Sequence, residues 1–437
     1  MKIFHAVLFS LILQIPMTFG TAESRLLYPG LCSDQLEDKK IDAAIECYLF
    51  SLPPEQRISQ IFLVNIPGNI RYRPIENSSK IDKYTGSSEV PLVPGGAILF
   101  GYNISDSAED TMDFLSSVAS YCDEKKICRP YIAVDQEGGY VARLRNVTSR
   151  LPSSGQVAKK LTPGQAYEMY SYQARQMHAL GFDMNLAPVS ESEDEGNKEF
   201  LDTRSYGNNQ SAISYSIAAV RAYQTNGISA VIKHFPGNTN TDPHTGLPEM
   251  HFSEHELVKK IMEPFFFILA SKPDAVLMSH ARTSIIDPSS PASLSRSWVT
   301  EKLKEELSYG GLILSDDIFM GALSKNGFPS DVAAIKAIEA GVHVIMLSEK
   351  HFSPVALDLL EHAQDNPGFS EKLLEAEKKV IAFKIKCGIL RLEKNAGGTY
   401  TVKPATDSEQ RGSREERIDT FRKNYALGKE YFDKYFR

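Results

Sequence analysis

The chain has 437 residues, of which 42% are hydrophobic and 24% are charged, and its formal net charge at pH 7 is -7. This length and composition are typical of a globular protein that buries a sizeable core, in one large domain or in two or three ordinary ones. The acidic balance, without runs of Lys and Arg interleaved with aromatic residues, argues against nucleic acid as a partner.

The N-terminal segment has the layout of a cleavable secretory signal. Lys2 precedes an apolar stretch at 3–15, and small residues follow at 20–22. The apolar stretch is too short to span a bilayer, and no later stretch is longer. We therefore predict a signal peptide at 1–22, export to the periplasm or the outside of the cell, and no stable membrane span. The alternative is a short N-terminal membrane anchor.

Eight short runs rich in Ile, Val, Leu and Phe recur along the rest of the chain. They are IFLVNI (61–66), GAILFGYN (96–103), PYIAVDQE (130–137), FDMNLAPV (182–189), ISAVIKHF (228–235), DAVLMSH (274–280), GGLILSDD (310–317) and GVHVIMLS (341–348). Segments with helical period, each with an N-cap signal and a closing glycine, lie between most of these runs, as at 162–181 and 330–341. Such alternation predicts a parallel sheet covered by helices, and eight repeats predict an α/β fold of the (β/α)₈ barrel type over residues 23–393. A doubly wound open sheet is the alternative, but it lacks the GxGxxG or P-loop signature of that class.

Polar and ionisable residues cluster where these predicted strands end. They are Asp135, Glu137, Asn185, Lys233, His234, Ser279, His280, Asp316 and Asp317. In a barrel the carboxyl ends of the strands converge on one rim, which is where such barrels place their chemistry. The sequence therefore predicts an active site at this rim.

The chain beyond the barrel divides into two predicted parts. Residues 394–412, which read KNAGGTYTVKPATDSEQRG, are typical of a linker. Residues 413–437 begin with a capping box, Ser413 and Glu416, and then space apolar and aromatic residues along one helical stripe. We predict an amphipathic C-terminal helix that packs on the outside of the barrel, with a partner-binding helix as the alternative.

The five cysteines leave two possibilities open. In an exported protein Cys32 could pair with Cys47, and Cys122 with Cys128, while Cys387 stands alone. Five unpaired thiols are the alternative. The cysteine spacings resemble no metal site, and the histidines show no HxxxH or HxH spacing, so no metal is predicted.

The motifs at the strand ends resemble those of a known family. They are AVDQEGG with Arg143, NLAPV, DTRSYG, KHFPG, SH followed by PASLS, and LSDDIFMGAL. In order and spacing, over about residues 50–350, they are similar to the N-acetyl-β-glucosaminidase branch of glycoside hydrolase family 3. The resemblance implies a retaining hydrolase on a (β/α)₈ barrel that removes terminal N-acetylglucosamine and needs no cofactor.

Carried over position by position, the resemblance implies roles for eight residues. Asp316, the first Asp of SDD, matches the family's nucleophile. Asp242 and His244 match its Asp-x-His dyad, in which the histidine is the acid/base. The positions that hold the sugar's hydroxyls and N-acetyl group are matched by Asp135, Arg143, Arg204, Lys233 and His234.

The residue types suit these roles on chemical grounds. A retaining glycosidase needs a carboxylate on one face of the anomeric carbon and a proton donor near the leaving oxygen. Asp316 ends a buried strand and can be held rigidly, although Asp317 competes for the role, and both could instead cap the next helix. A histidine exchanges its proton near neutral pH, and a carboxylate two residues away can fix its tautomer. For His280, a histidine satisfied inside the core is a plausible alternative to a functional role.

The chain also departs from the family pattern. The family's loop usually reads KHFPGHGDT, two variable residues and DSH, whereas here it reads KHFPGNTNTDPH, two residues shorter, with Asn238, Asn240 and a stiffening Pro243. Tyr140 replaces an arginine that often follows the glycine pair, and Glu191 stands where an aspartate is common.

Three functions remain open on the sequence. We favour a retaining exo-β-N-acetylglucosaminidase that acts on β-linked glycans such as peptidoglycan fragments, because it accounts for every motif at the strand ends. A phosphorylase of the same sugar is the second, since a histidine repels phosphate less than a carboxylate does. The third is a catalytically silent protein that binds the cell wall. The expected partner is a carbohydrate, and we expect a monomer.

Overall fold

The computed structural model describes residues 35–77 and 91–437. The predicted signal peptide and Cys32 lie outside the described residues. Within the described part, no helix is long and apolar enough to cross a membrane.

The eight predicted strands form a closed barrel. Its strands are β1 (Phe62–Asn65), β2 (Gly96–Leu99), β3 (Tyr131–Val134), β4 (Met184–Asn185), β5 (Ser229–Phe235), β6 (Ala275–Met278), β7 (Leu312–Asp317) and β8 (Val344–Leu347). Each strand pairs in parallel with its neighbours in the sequence, and β8 pairs with β1. The predicted (β/α)₈ barrel is confirmed, and the open-sheet alternative is wrong.

Helices follow most of the strands and surround the barrel. The described α-helices are α1 (Gln35–Ser51), Pro54–Ile58, α2 (Ala108–Lys125), Ser154–Lys160, α3 (Pro163–Leu180), Lys198–Leu201, α4 (Asn209–Thr225), Glu254–Glu256, α5 (Glu263–Leu269), Gly321–Ser324, α6 (Ser330–Ala340), α7 (Glu349–Asp365), α8 (Pro367–Lys386), Asp407–Arg411 and α9 (Arg414–Phe436). Leu257–Met262 and Ser297–Glu306 are π-helical. The predicted helix at 162–181 begins with a capping box of Thr162 and Gln165 and ends at Gly181 in the left-handed region (φ 119°).

Successive side chains of the strands alternate between two cores. Leu63 and Leu314 belong to the core inside the barrel, whereas Val64 and Ile313 belong to the core between the barrel and its helices. This two-sided burial explains why the strands are continuous apolar runs rather than alternating ones. Phe383 of α8 packs against Tyr131, the first residue of β3, with ring centres 5.0 Å apart.

The predicted linker at 394–412 is wrong, because most of this segment is folded. Leu390–Lys394 and Tyr400–Pro404 form an antiparallel hairpin, followed by the helix Asp407–Arg411. Residues 395–399 form the hairpin turn, in which Gly398 N–H donates to Asn395 O (2.9 Å). Asp407 accepts hydrogen bonds from three arginines, Arg129, Arg411 and Arg417, which fixes the segment against the barrel.

The C-terminal helix α9 packs on the outside of the barrel, as predicted. The capping box of Ser413 and Glu416 is present. Arg417 donates to the carbonyls of Ala179 and Leu180 at the end of α3, and Phe421 is buried. These contacts tie the helix to the barrel.

The thiols of the described cysteines are free. Cys122 and Cys128 are buried and form no disulfide, so of the two possibilities that the sequence left open for this pair the structure shows unpaired thiols, while Cys47 is exposed. No group of three or more His, Cys, Asp or Glu side chains in the described ranges could hold a metal ion.

Candidate active site

The carboxyl ends of β3 and β5 hold a cluster of charged side chains. Lys233 Nζ lies 2.7 Å from Asp135 Oδ1 and 2.7 Å from Glu137 Oε1. Arg204 contacts Glu137 at two points, through Nε to Oε2 (2.8 Å) and Nη2 to Oε1 (3.0 Å). Three of the predicted sugar-binding residues therefore meet around Glu137, a residue at a strand end to which the sequence assigned no role.

The charged side chains of this cluster keep one another ionised although they are buried. Burial alone would raise the pKa of Glu137, but Lys233 and Arg204 lower it to about 2. Burial would also lower the pKa of Lys233, but Asp135 and Glu137 hold it above its usual value. Glu137 and Lys233 are therefore both charged at neutral pH, and the direction of the lysine ammonium is fixed.

A second buried carboxylate, Glu191, holds His234. Glu191 Oε1 lies 2.6 Å from His234 Nδ1, and Oε2 accepts a hydrogen bond from the backbone N–H of Asn238 (2.6 Å). The side-chain amide of Asn238 also donates to Oε1 (3.1 Å). Because an ionised carboxylate only accepts, His234 carries its proton on Nδ1, and Nε2 is the nitrogen left for a ligand. Glu191 thus joins a predicted sugar-binding residue to the start of the dyad loop.

Arg143 lies beside Asp135, whose carbonyl accepts a hydrogen bond from the Arg143 backbone N–H (3.3 Å). The guanidinium lies 6.0 Å from the centre of the Phe100 ring. Its Nε is buried and has no hydrogen-bond partner among the residues that the structure describes. A buried donor of this kind needs an oxygen from a ligand or from water, which agrees with the predicted role in sugar binding.

Asp316 and Asp317 end β7 in different surroundings. Asp316 Oδ1 accepts the backbone N–H of Asp317 (2.9 Å), and Asp316 forms no ion pair with any described residue. Asp317 Oδ1 accepts the backbone N–H of Phe319 (2.9 Å) and so caps the turn that follows. Burial raises the pKa of Asp317 to about 6. A carboxylate that caps its own turn is less free to attack a substrate, which favours Asp316 as the nucleophile.

His280 is a satisfied core histidine. Its Nε2 donates to the carbonyl of Asp317 (3.0 Å), and its Nδ1 accepts from the hydroxyl of Ser293 (2.7 Å). Burial lowers the pKa of His280, so the ring is neutral and supports the turn behind the two aspartates.

The dyad forms as predicted. His244 Nδ1 lies 2.7 Å from Asp242 Oδ1, which also accepts the backbone N–H of His244 (2.9 Å). The imidazole is 72% exposed. The dyad loop, residues 236–246, contacts the segment after Asp316, where Ala322 N–H donates to the carbonyl of Pro243 (3.0 Å). Gly321 permits this approach, since a Cβ there would lie 2.5 Å from the carbonyl oxygen of His244.

Asn240, one of the departures from the family pattern, anchors this shortened loop. Its Oδ1 accepts the backbone N–H of Glu199 (2.9 Å), and its Nδ2 donates to the carbonyl of Glu195 (3.0 Å). Its backbone N–H donates to Gly196 O (2.7 Å). The side-chain amide therefore ties the dyad loop to the loop that follows β4.

A cavity of about 520 Å³ lies behind the dyad loop, between residues 190–197, 236–241, 249–252 and 260–265. None of the eight predicted site residues lines it. Glu191 and Asn238 form part of its wall, so the cavity lies beside the site and not within it.

All eight predicted site residues lie at the carboxyl ends of barrel strands or in the loops that follow. Asp135, Lys233 and Arg204 are joined through direct contacts, and Asp242 and His244 contact each other. The individual roles of the eight residues stay predictions. Glu137 and Glu191 complete the site as the carboxylates that hold these side chains in place.

Known proteins resemble the chain in sequence. It is 27% identical over 321 residues to beta-hexosaminidase A of Pseudoalteromonas piscicida, and this alignment covers 67% of the chain and 53% of the relative. It therefore spans about half the length of that relative. It is 31% identical over 281 residues to the beta-hexosaminidase of Pseudomonas aeruginosa (strain LESB58), covering 62% of this chain and 81% of the relative.

The fold is similar to that of a solved structure, a glycoside hydrolase family 3 beta-N-acetylglucosaminidase from Paenibacillus sp. str. FPU-7. The TM-score is 0.67 and the identity 24%, over 86% of this chain and 69% of that one. At this identity the likeness concerns the fold alone. Residues 83–382 match the glycosyl hydrolase family 3 N terminal domain. Through this match, together with the barrel and the motifs at its strand ends, the chain belongs to glycosyl hydrolase family 3.

Proposed function

We propose that the protein is a retaining exo-β-N-acetylglucosaminidase, which removes terminal N-acetylglucosamine from β-linked glycans. The observation that carries this proposal is the docking of the dyad loop on the segment after Asp316, through the Pro243 carbonyl and Ala322 N–H (3.0 Å). This contact supports the proposal, because it holds the loop of His244, the proposed acid/base, on the segment that follows Asp316, the proposed nucleophile. The names of the sequence relatives support the choice of sugar.

In the first step, the Asp316 carboxylate attacks the anomeric carbon. Protonated His244 gives its proton to the leaving oxygen as the glycosidic bond breaks, and a covalent glycosyl-enzyme forms. Asp242 orients the imidazole by accepting from Nδ1, so that Nε2 faces the leaving group. Lys233 and Arg204, fixed by Glu137, donate to the hydroxyls of the bound sugar.

In the second step, the same imidazole acts as the base. His244 Nε2 takes a proton from a water molecule, the water attacks the anomeric carbon, and the bond to Asp316 breaks. Two inversions give overall retention, so the product is released as the β-anomer.

The substrate test compares 4-nitrophenyl N-acetyl-β-glucosaminide with 4-nitrophenyl β-glucoside. We expect turnover of the first and little of the second. Activity on the glucoside alone would overturn the choice of sugar. Turnover that depends on added phosphate would assign a phosphorylase, the alternative that a histidine acid/base makes chemically reasonable.

The covalent step is tested with a fluorinated, mechanism-based N-acetylglucosaminide and peptide mass mapping. We expect one sugar adduct, on Asp316. An adduct on Asp317 would move the nucleophile by one residue. No adduct and no turnover would point to a silent wall-binding protein.

The predicted export signal favours peptidoglycan fragments as the substrate, because export would place the enzyme near the cell wall. We expect the mature protein to lack residues 1–22 and to release N-acetylglucosamine from purified muropeptides. N-terminal sequencing of the secreted protein and chromatography of the products measure the two expectations separately.

A further inference from the structure

Aromatic side chains occupy the half of the rim that lies away from the charged cluster. We call Phe100, Tyr102, Phe319 and His351 the aromatic arc. Phe100 and Tyr102 follow β2, Phe319 follows β7, and His351 follows β8. Tyr102 is 55% exposed and Phe319 49% exposed. Large rings exposed together at the mouth of a site mark a surface that binds something.

One end of the aromatic arc lies beside Arg143, a predicted sugar-binding residue. The guanidinium of Arg143 lies 6.0 Å from the centre of the Phe100 ring, and Phe100 stacks on Tyr102 with ring centres 6.0 Å apart. The Tyr102 hydroxyl accepts a hydrogen bond from Asn65 Nδ2 (3.1 Å), and Asn65 Oδ1 accepts the backbone N–H of Glu349 (3.0 Å). Asn65 ends β1 and Glu349 follows β8, so these contacts cross the rim from β2 to β8.

The other end of the aromatic arc reaches the nucleophile. Phe319 stacks on His351 with ring centres 3.9 Å apart and an angle of 22° between the planes. Burial lowers the pKa of His351, so its ring is neutral at neutral pH. The backbone N–H of Phe319 donates to Asp317 Oδ1, next to Asp316. The arc therefore starts and ends at active-site residues.

The two halves of the rim suit two different parts of a glycan. The charged half, with Lys233 and Arg204, can satisfy the hydroxyls of the sugar that is cleaved off. The aromatic half offers flat apolar rings, and a pyranose presents a face of C–H groups that packs on such rings. A second sugar, linked through the scissile oxygen, would extend from the charged half of the rim towards the aromatic half.

We propose that the aromatic arc binds the pyranose ring on the leaving-group side of the scissile bond. The enzyme then prefers substrates whose aglycone is itself a sugar over those with a small alkyl aglycone. This inference rests on the proposed N-acetylglucosaminidase function and deepens it by naming residues that select the aglycone.

The test compares two substrates whose leaving groups are both alcohols. N,N′-diacetylchitobiose leaves a pyranose, and methyl N-acetyl-β-glucosaminide leaves methanol, which has no ring to stack. The measured quantity is the ratio of their kcat/KM values. We expect Phe319→Ala and Tyr102→Ala each to lower this ratio at least tenfold, and Phe319→Tyr to restore most of it. Phe267→Ala, which removes an exposed ring from α5, is the matched control and should leave the ratio as in the wild type.

The possible results separate the two proposals. If the wild type hydrolyses both substrates and neither alanine variant lowers the ratio, the aromatic arc does not bind the aglycone. If the wild type hydrolyses neither N-acetylglucosaminide, the proposed function itself fails, and this inference with it. Because both rings are exposed, the variants should fold, and a circular dichroism spectrum checks that they do. A variant that misfolds is replaced by Phe319→Leu, which keeps an apolar side chain and lacks the ring.

Discussion

A change of one atom in Glu137 should destabilise the protein strongly. Glu137 is buried, and it accepts hydrogen bonds from both Lys233 and Arg204. Glu137→Gln keeps the volume of the side chain but removes its charge. One oxygen becomes an NH₂ donor that faces a cation, so at least one of the two contacts is lost.

The magnitude follows from the pKa of Glu137, which the folded protein lowers from 4.5 to about 2. At about 1.4 kcal/mol for each pKa unit, the ionised carboxylate stabilises the fold by roughly 3 kcal/mol. Removal of one partner from a buried ion pair usually costs about 3–5 kcal/mol, which agrees. Because the pKa is lower in the folded state, the stabilisation is complete above the unfolded value of about 4.5 and disappears as the pH falls towards 2.

The assay is urea unfolding of the wild type and Glu137→Gln between pH 7 and pH 3. We expect a difference in the free energy of unfolding of roughly 3 kcal/mol that stays constant down to about pH 5 and then shrinks. Glu305→Gln, an exposed glutamate in 297–306, is the control and should change stability by less than about 0.5 kcal/mol. A difference below about 1 kcal/mol at pH 7, or one that shrinks already at pH 6, would show that the ion pairs of Glu137 do not stabilise the fold in this way.

Three further variants probe the chemistry and its support. Asp316→Asn should lower kcat by about a thousandfold or more without loss of folding, because the substitution removes the attacking charge at constant side-chain volume. Near-normal turnover would exclude Asp316 as the nucleophile. His244→Ala should slow the hydrolysis of a disaccharide by about a hundredfold but that of an activated phenyl glycoside much less. Added azide should partly restore deglycosylation, with a β-glycosyl azide as the product. Equal losses for both substrates without rescue by azide would make the residue structural. Glu191→Gln should raise KM more than it lowers kcat and should destabilise the fold by about 1–3 kcal/mol, since the amide can no longer accept hydrogen bonds from both His234 and Asn238. Steady-state kinetics and thermal unfolding measure the two effects. An unchanged KM would contradict the role of Glu191 in positioning His234.

Much of the site could be predicted because the polar residues stand directly after apolar runs. A run such as LILSDD identifies both a buried strand and the carboxylates at its end, and in a barrel every such end faces the same rim. The roles of Asp316 and His244 came from the family resemblance, since the chemistry of a strand end does not by itself distinguish Asp316 from Asp317. In the structure, the capping hydrogen bond from Phe319 to Asp317 favours Asp316, and the role of Asp316 as nucleophile stays a prediction.

The functions of Glu137 and Glu191, which hold other site residues in place, could not be assigned in the same way. Glu137 stood at a strand end without a role, and Glu191 was visible only as a departure from the family. Their functions depend on contacts with Lys233, Arg204 and His234, which lie far away along the chain. The linker predicted at 394–412 failed for a related reason, because a Gly and Asn turn looks the same in a hairpin as in a flexible segment. Burial against the barrel decides between the two.

The barrel, its rim and the residue types that gather there could be predicted from the sequence, because apolar periodicity and strand ends are local properties of the chain. The folded structure was needed to show which carboxylate contacts which cation, where the shortened loop holds His244, and that residues 394–412 are folded. The physical reason is that a buried charge or hydrogen-bonding group is stable only with a partner in the right direction. Which partner that is depends on how the closed barrel brings distant strands together.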